Sequence, residues 1–280
     1  MRSATFGPLN AVVPLVGQGT WNLEREDPRK AVEALEAGID AGMTHIDTAE
    51  LYGNGRVERL LRGIVEGRRD DLFLVSKVLP QNGAYRSAIQ ACERSLKRLG
   101  TDRLDVYLLH WRGSVPLEET IRAFDALVEA GKIGAWGVSN FDVDDLEEAL
   151  SIAGEGRIAC NQVLYHLGER SIEHRVVPWC RAHRVAVVAY SPFGSGRFPS
   201  PRSDGGKVLE AVAKRRSATP HQIALAFLIR RAEAFAIPKA AAAEHARENA
   251  AAADLELDAD DMRAIDEAFP ARPKRSLATL

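Results

Sequence analysis

The sequence has little of what marks several common classes of protein. Its 280 residues include three cysteines, Cys92, Cys160 and Cys180, and no C-x-x-C pair, so no disulfide framework is predicted. No apolar run approaches the roughly 18 residues of a membrane span, and the first residues hold no long apolar signal segment. The formal net charge of −2 favours neither nucleic acid nor an anionic membrane as a partner. We expect a cytoplasmic protein with buried free thiols, and nothing demands more than a monomer.

Motifs for several kinds of site are missing too. The seven histidines show no H-x-H or H-E-x-x-H spacing, so no metal is predicted. No serine or cysteine has a plausible base beside it, which argues against a nucleophile of that kind. No strand feeds a G-x-G-x-x-G turn; the nearest pattern, at Gly17 and Gly19, continues into Thr20 and Trp21 instead of a helix. A doubly wound dinucleotide fold is therefore the weaker of two α/β alternatives.

Short β-branched runs alternate with amphipathic segments along the chain. Several expected helices, such as 28–42 and 116–132, have proline near their start and glycine near their end. The runs between helices are continuously apolar, which is typical of parallel strands covered on both faces or closed into a barrel. We expect eight strands, at 15–19, 44–48, 72–77, 104–110, 135–140, 160–164, 185–190 and 235–239.

Eight strands, each followed by a helix, in about 250 residues predict an α/β fold of the (β/α)8 TIM-barrel type. We expect a single domain over 1–280, with an N-terminal β-hairpin around 3–14. The alanine-rich segment 239–257 and the segment 258–269 predict extra C-terminal helices, and 270–280 is expected to be a loose tail.

Polar side chains stand where the apolar strands end. They are Asp47, Lys77, His110, Ser139, Asn140, Gln162, Tyr190 and Lys239. Functional residues of such barrels lie at the C-terminal ends of strands. Each residue alone has a structural explanation, as a cap, a rim lysine or a core histidine. Ionisable groups at the ends of three consecutive strands, about 4.8 Å apart, favour a shared site.

Asp47, Tyr52, Lys77 and His110 form a chemically coherent set. A free phenol has a pKa of about 10, and a nearby ammonium from Lys77 is expected to lower it. Asp47 would keep Lys77 charged and oriented, and His110 would donate a hydrogen bond to a substrate oxygen. The pattern predicts a tyrosine general acid for a carbonyl that gains negative charge on oxygen.

With these residues in place, the chain resembles the aldo-keto reductases, in particular short-loop bacterial members. The resemblance rests on "GQGTW", "HIDTAELYGN", "VSK", "LLHW", "GKIGAWGVSNF", "CNQV", "YSPFG" and "IPKAAAAEHARENAA", in this order. It implies the catalytic tetrad Asp47, Tyr52, Lys77 and His110, with Tyr52 as proton donor. It also implies NAD(P)H-dependent reduction of aldehydes and ketones on a barrel that binds the cofactor in extended form.

The resemblance further implies the cofactor and substrate residues. Ser139, Asn140 and Gln162 would bind the nicotinamide carboxamide, and Tyr190 would stack on its ring. Ser191, Phe193 and Ser195 would hold the pyrophosphate, while Lys239, Glu248 and Asn249 would surround the adenosine. The cofactor set is completed by Gly19, Thr20, Ile237 and His245. Trp21 and Trp111 would form pocket walls together with Tyr52 and His110.

The expected cofactor is NADP(H), with NAD(H) also possible. The family's 2′-phosphate site typically has a serine after the lysine and an arginine five residues later; here Ala240 and His245 stand in those places. A methyl group and a neutral imidazole cannot replace a hydroxyl and a guanidinium as phosphate ligands. We therefore expect NADPH still to be accepted through Lys239, but with a smaller preference over NADH. Arg247 would partly compensate if its helix turns it inward.

The short loops favour an open site for small aldehydes, dicarbonyls or keto sugars. Two other functions remain as alternatives. Lys77 could act as the amine of a Schiff-base lyase, although such an enzyme has no use for Ser139, Asn140 and Gln162. A non-catalytic NAD(P)H-binding sensor on the same fold would share the whole sequence pattern.

Overall fold

Eight parallel strands form the main sheet of the computed structural model, which describes residues 1–231, 234–274 and 276–280. Their spatial order follows the chain from β3 to β10, as expected for consecutive β/α units. The strands are β1 Ser3–Thr5, β2 Val12–Pro14, β3 Gln18–Gly19, β4 His45–Asp47, β5 Phe73–Val78, β6 Leu104–Leu109, β7 Ile133–Ser139, β8 Ile158–Leu164, β9 Ala186–Tyr190 and β10 Ala234–Ala236.

The first and last strands of this sheet meet and nearly close it into a barrel. Val16 forms a parallel bridge with Ala236, and the Gly17 N–H donates to the Ala236 carbonyl at 2.8 Å. A Cβ atom at Gly19 would lie 2.6 Å from the Ile237 carbonyl oxygen, so this seam requires glycine. The predicted TIM barrel is confirmed. Its seam strands are shorter than the expected 15–19 and 235–239, because isolated bridges and single hydrogen bonds replace a regular ladder there.

Ten helices in the described ranges surround the strands. They are α1 Pro28–Asp40, α2 Arg56–Arg68, α3 Tyr85–Leu99, α4 Leu117–Glu129, α5 Val143–Ala153, α6 Val176–Ala182, α7 Asp204–Arg216, α8 Pro220–Leu228, α9 Ala243–Ala251 and α10 Ala259–Ala268. α1 begins as predicted at Pro28, where the Asp27 carboxylate accepts the N–H groups of Arg29 and Lys30 at 3.0 Å. α3 ends at Gly100 in the left-handed region, φ 70°.

Two helical boundaries differ from the sequence prediction. Helix was expected over 239–257, but α9 spans only Ala243–Ala251, followed by a 3-10 turn. The segment before it stays extended because Ile237 and Pro238 still hydrogen-bond to barrel strands. The loop expected over 194–206 is shorter, since Ser203 caps α7 by accepting the Gly206 N–H at 3.1 Å.

The hairpin of β1 and β2 closes the N-terminal end of the barrel. Phe6 follows β1, is fully buried, and lies 4.8 Å from the Phe73 ring and 4.9 Å from the Phe235 ring. Its edge-on contact with His45 joins the hairpin to the start of β4. The hydrophobic core continues outward from the strands into the helices. The opposite, C-terminal end of the barrel is open.

Described residues of the C-terminal segment contact the rest of the protein, whereas a loose tail was expected over 270–280. Lys274 contacts the Glu169 carboxylate, and Leu277 packs on the hydrophobic core. Leu280 reaches the cavity at the open end of the barrel. None of the helices in the described residues is long and apolar enough to span a membrane.

Candidate active site

A cavity of about 440 Å³ lies at the C-terminal end of the barrel. Strand ends form its base and the following loops form its walls, as in other (β/α)8 enzymes. The predicted site residues that line it are Gly19, Thr20, Trp21, Asp47, Tyr52, His110, Trp111, Ser139, Asn140, Gln162, Tyr190, Ser191, Phe193, Ser195, Ile237 and Lys239. Sequence analysis did not identify five further lining residues, which are Asn22, Leu51, Pro192, Gly196 and Leu280.

Lys77 lies directly beneath the cavity and has no solvent exposure. All three donors of its ammonium are used: Nζ contacts Asp47 Oδ1 at 2.6 Å, the Thr48 carbonyl at 2.9 Å and the Tyr52 hydroxyl at 3.0 Å. Burial alone would lower the pKa of Lys77, but Asp47 and Tyr52 outweigh it and raise that pKa. The lysine is therefore a fixed positive charge beside the Tyr52 oxygen.

Tyr52 sits in a tight turn that aims its hydroxyl at Lys77. Gly53 and Asn54 both have positive φ, 56° and 55°, conformations that glycine and asparagine tolerate best. Burial raises the pKa of Tyr52 above its ordinary value, and Asp47 adds to this, although Lys77 acts in the lowering direction. The lowering effect of the lysine was predicted from the sequence, but burial outweighs it. Tyr52 therefore carries its proton at neutral pH.

His110 follows β6 and faces Tyr52 edge-on, with ring centroids 5.8 Å apart. Burial, followed by the charge on Lys77, lowers its pKa to about 2, so the ring is neutral. Its Nδ1 is buried without a hydrogen-bond partner among the described residues. An unpartnered lone pair is less costly here than an unpartnered N–H, which favours the tautomer with the proton on Nε2.

Amide and hydroxyl groups form a second cluster in the cavity. Gln162 Nε2 donates to Asp47 Oδ2 at 2.8 Å. Asn140 Nδ2 donates to the His110 carbonyl at 3.2 Å, and Asn140 Oδ1 accepts from the Tyr190 hydroxyl at 2.9 Å. Ser139 Oγ donates to the Gln162 carbonyl at 2.9 Å. The site thus links the ends of β4, β6, β7, β8 and β9 through side chains.

The loop after β9 has an unusual backbone conformation. Ser191, Gly194, Ser195 and Gly196 have φ angles of 48°, 74°, 52° and 88°. Ser191, Ser195 and Gly196 line the cavity. Residues with such angles can turn backbone N–H groups into a concave surface that suits an anion.

The predicted adenosine residues are only partly brought together. Lys239 lines the cavity, and its Nζ contacts Glu26 Oε1 at 2.7 Å. His245, Glu248 and Asn249 lie on α9 outside the cavity lining: His245 is exposed and Asn249 is buried. The partnership of Lys239 with Glu26 could not be found from the sequence, because the two residues are 213 positions apart.

Other titratable groups lie outside this site. The three cysteines are free and buried, as predicted, and no group of histidines, cysteines and acids suited to a metal occurs in the described part of the chain. His45, at the start of β4, is fully buried, and neither ring nitrogen has a partner within the described residues. Burial, followed by Lys77, lowers its pKa to about 3.

Comparison with known proteins agrees with this geometry. Residues 15–269 match the sequence model of the Aldo/keto reductase family. A methylglyoxal reductase, YeaE, of Escherichia coli strain K12 is 44% identical over 269 residues, covering 95% of this chain and 94% of that protein. A glyoxal reductase of Bacillus subtilis strain 168 is 34% identical over 256 residues, covering 91% and 88%.

Solved structures give the same result. An aldo/keto reductase from Klebsiella pneumoniae, crystallised with NADP and acetate, has a TM-score of 0.93 and 42% identity, with both chains fully covered. Family, fold and cavity agree over nearly the whole length of the sequence. The chain belongs to the aldo/keto reductase family and is an NAD(P)H-dependent oxidoreductase that reduces carbonyl groups.

Proposed function

We propose that this protein reduces small, uncharged aldehydes, dicarbonyls or keto sugars, with Tyr52 as the proton donor. The observation that carries the proposal is the Tyr52 hydroxyl, which lines the cavity and lies 3.0 Å from the buried Lys77 ammonium. The names of the relatives, a methylglyoxal reductase and a glyoxal reductase, support dicarbonyls as the first substrates to test.

The lining of the cavity supports uncharged substrates. Lys239 is the only lysine or arginine among the described residues that line the cavity. Arg112, which follows Trp111, is bound to Glu148 at 3.0 Å and to backbone carbonyls. The mouth is apolar, with Trp21, Leu51 and Trp111 each about 40% exposed. Lys239 is the only lysine or arginine that the described lining offers to a substrate carboxylate, whereas a small apolar aldehyde would bury surface at the mouth.

The residues present fit a nicotinamide dinucleotide. Ser139, Asn140 and Gln162 offer the donors and acceptors that a carboxamide needs, and Gln162 presents its N–H to Asp47, which leaves Oε1 as an acceptor. Tyr190 offers a ring face. The loop that contains Ser191, Phe193 and Ser195 suits a pyrophosphate, and Lys239 suits an anionic group beyond it. When bound, the reduced cofactor supplies the hydride.

The four ionisable residues then have distinct roles. The His110 Nε2–H donates to the substrate oxygen and fixes its position. Tyr52 gives its proton to that oxygen as negative charge develops there. The Lys77 ammonium stabilises the phenolate that remains, and Asp47 holds the ammonium in place. Because burial raises the pKa of Tyr52, the residue holds its proton at neutral pH, and the Lys77 ammonium, which acts in the lowering direction, assists transfer of that proton to the substrate.

We propose NADP(H) as the principal cofactor. We expect its preference over NAD(H) to be smaller than in relatives that have a full phosphate site. Ala240 and His245 supply neither the hydroxyl nor the guanidinium of a full phosphate site, and His245 lies outside the cavity lining. The NADP complex of the Klebsiella relative supports the first part of this proposal.

The test is cofactor oxidation with methylglyoxal in wild type and Tyr52→Phe. A positioned general acid contributes about 10²–10⁴-fold, so we expect a loss of that order with cofactor affinity preserved. Tyr85→Phe, a partly exposed tyrosine at the start of α3, is the matched control. A carboxylate-bearing aldehyde should be a poor substrate.

The same assays separate the alternatives. Covalent trapping of substrate on Lys77 by borohydride would indicate a Schiff-base lyase. Tight cofactor binding without turnover of any carbonyl would indicate a sensor. Equal activity of Tyr52→Phe and wild type would refute the assigned acid.

We extend the proposal to a single-domain, monomeric and cytoplasmic protein without a nucleic-acid partner. The near-neutral charge and the packing of the described elements around one barrel support it. A mass in light scattering well above the 30.6 kDa of one chain would contradict the monomer.

A further inference from the structure

We propose that Glu26 is a selectivity residue that weakens binding of 2′-phosphorylated cofactor and so keeps NADH competitive with NADPH. The inference rests on the proposed function, in which the adenosine end of the cofactor lies near Lys239. It concerns a residue that the sequence motifs do not include. It starts from the contact between Glu26 Oε1 and Lys239 Nζ at 2.7 Å.

Glu26 reaches Lys239 across the seam of the barrel. It follows the 3-10 turn Leu23–Arg25 after β3, while Lys239 follows β10. The two side chains are 36% and 35% exposed, so solvent and ligands can reach both. Lys239 is the only lysine or arginine among the described lining residues. The ammonium that a phosphate in the cavity could contact therefore already has Glu26 as its carboxylate partner.

This arrangement treats the two cofactors differently. A 2′-phosphate on Lys239 would have to share the ammonium with Glu26, at the cost of repulsion between a phosphate and a carboxylate. A ribose 2′-hydroxyl carries no charge and can donate a hydrogen bond to a carboxylate, a contact that acidic residues make in NAD-binding proteins. Ala240 and His245 stand where the family pattern has a serine and an arginine, so neither position supplies a guanidinium that would offset the repulsion.

Removal of the carboxylate should therefore favour NADPH. For a phosphate dianion and a carboxylate roughly 5 Å apart in a water-like dielectric, Coulomb's law gives an effect of about tenfold in Kd. The exposure of the pair means that salt screens this effect. Since half-exposed ion pairs add little stability, the variant should fold normally.

The experiment is titration calorimetry of NADPH and NADH with wild type and Glu26→Gln, at low and high salt. We expect the Kd for NADPH to fall about tenfold at low salt, less at high salt, and the Kd for NADH to change less than about twofold. Glu129→Gln, an exposed glutamate at the end of α4 on the other side of the barrel, is the matched control and should change neither Kd.

Repeating the Glu26→Gln substitution in a Lys239→Met variant tests whether Glu26 acts through Lys239. In Lys239→Met, the Glu26→Gln substitution should no longer improve NADPH binding, because the shared ammonium is gone. An unchanged ratio of the two Kd values in Glu26→Gln, or the same gain in the Lys239→Met background, overturns the role of Glu26. Binding of neither cofactor by wild type would instead refute the proposed function, and the inference with it.

Discussion

The buried pair of Asp47 and Lys77 should contribute to catalysis far more than to stability. Both side chains are almost completely inaccessible to solvent. At 2.6 Å between Nζ and Oδ1, their attraction is about 6 kcal/mol for an effective dielectric constant of about 20. Removing two ions from water costs several kcal/mol for each ion. The two terms are of similar size, so the net stabilisation should be close to zero.

Three variants separate the two contributions. Lys77→Met leaves the Asp47 carboxylate buried with Gln162 as its remaining partner, and Asp47→Leu leaves the Lys77 ammonium with two neutral acceptors. Each single change should lower the free energy of unfolding by about 3–5 kcal/mol. The double variant removes both charges, so its stability should match wild type or exceed it by about 1–4 kcal/mol. All three should lose reductase activity.

The measurement is thermal unfolding together with cofactor oxidation. A loss of 3–5 kcal/mol lowers the melting temperature by at least roughly 6 °C in a chain of this size. The double variant should recover that loss without recovering activity. If it is instead destabilised by the sum of the single changes, the pair stabilises the fold and this reasoning is wrong.

Two further predictions concern His45 and the three buried cysteines. His45 has a pKa of about 3 in the folded protein, against 6.5 in the unfolded chain. Between these pH values the unfolded chain binds more protons than the folded protein. The free energy of unfolding should therefore fall by about 1.4 kcal/mol for each pH unit below 6.5. Thermal unfolding at pH 7 and at about pH 4.5 should show a smaller drop in His45→Leu than in wild type; equal drops would exclude His45 as the cause. Burial raises the pKa of Cys92 and Cys180 to about 12 and also raises that of Cys160, so a thiol reagent should label the native protein only after urea is added. Rapid labelling of the folded enzyme would contradict this.

The barrel and the proximity of the four ionisable side chains could be predicted from the sequence because strand order fixes where side chains meet. Asp47, Lys77 and His110 lie at the ends of three strands that are consecutive in both chain and sheet. A polar residue after an apolar run therefore indicates both its position and its neighbours. The same logic located Gln162 and Tyr190 on later strands.

Residues whose positions depend on loops and long-range contacts could not be predicted in this way. Leu280 reaches the cavity because two contacts hold the tail before it. Lys274 contacts the Glu169 carboxylate, and the Ala271 carbonyl lies 3.1 Å from His174 Nε2. No local pattern encodes those contacts. Glu26 is similar, since its partner arrives from the opposite end of the chain. The direction of the Tyr52 pKa also depended on burial, which the sequence does not supply.

Asn140 illustrates how local backbone preference and site geometry conflict and are reconciled. Its φ of 58° lies in the left-handed region, where most residues with a side chain are strained and glycine is not. Glycine would relieve the backbone but would lose the contacts to the His110 carbonyl and the Tyr190 hydroxyl, which join β6 to β9 across the end of β7. Asparagine tolerates the left-handed region better than most other non-glycine residues, and its amide N–H group donates to the His110 carbonyl while its amide oxygen accepts from the Tyr190 hydroxyl. The choice of asparagine therefore follows from two requirements together, a backbone that must turn at this point and a side chain that must bind on both sides.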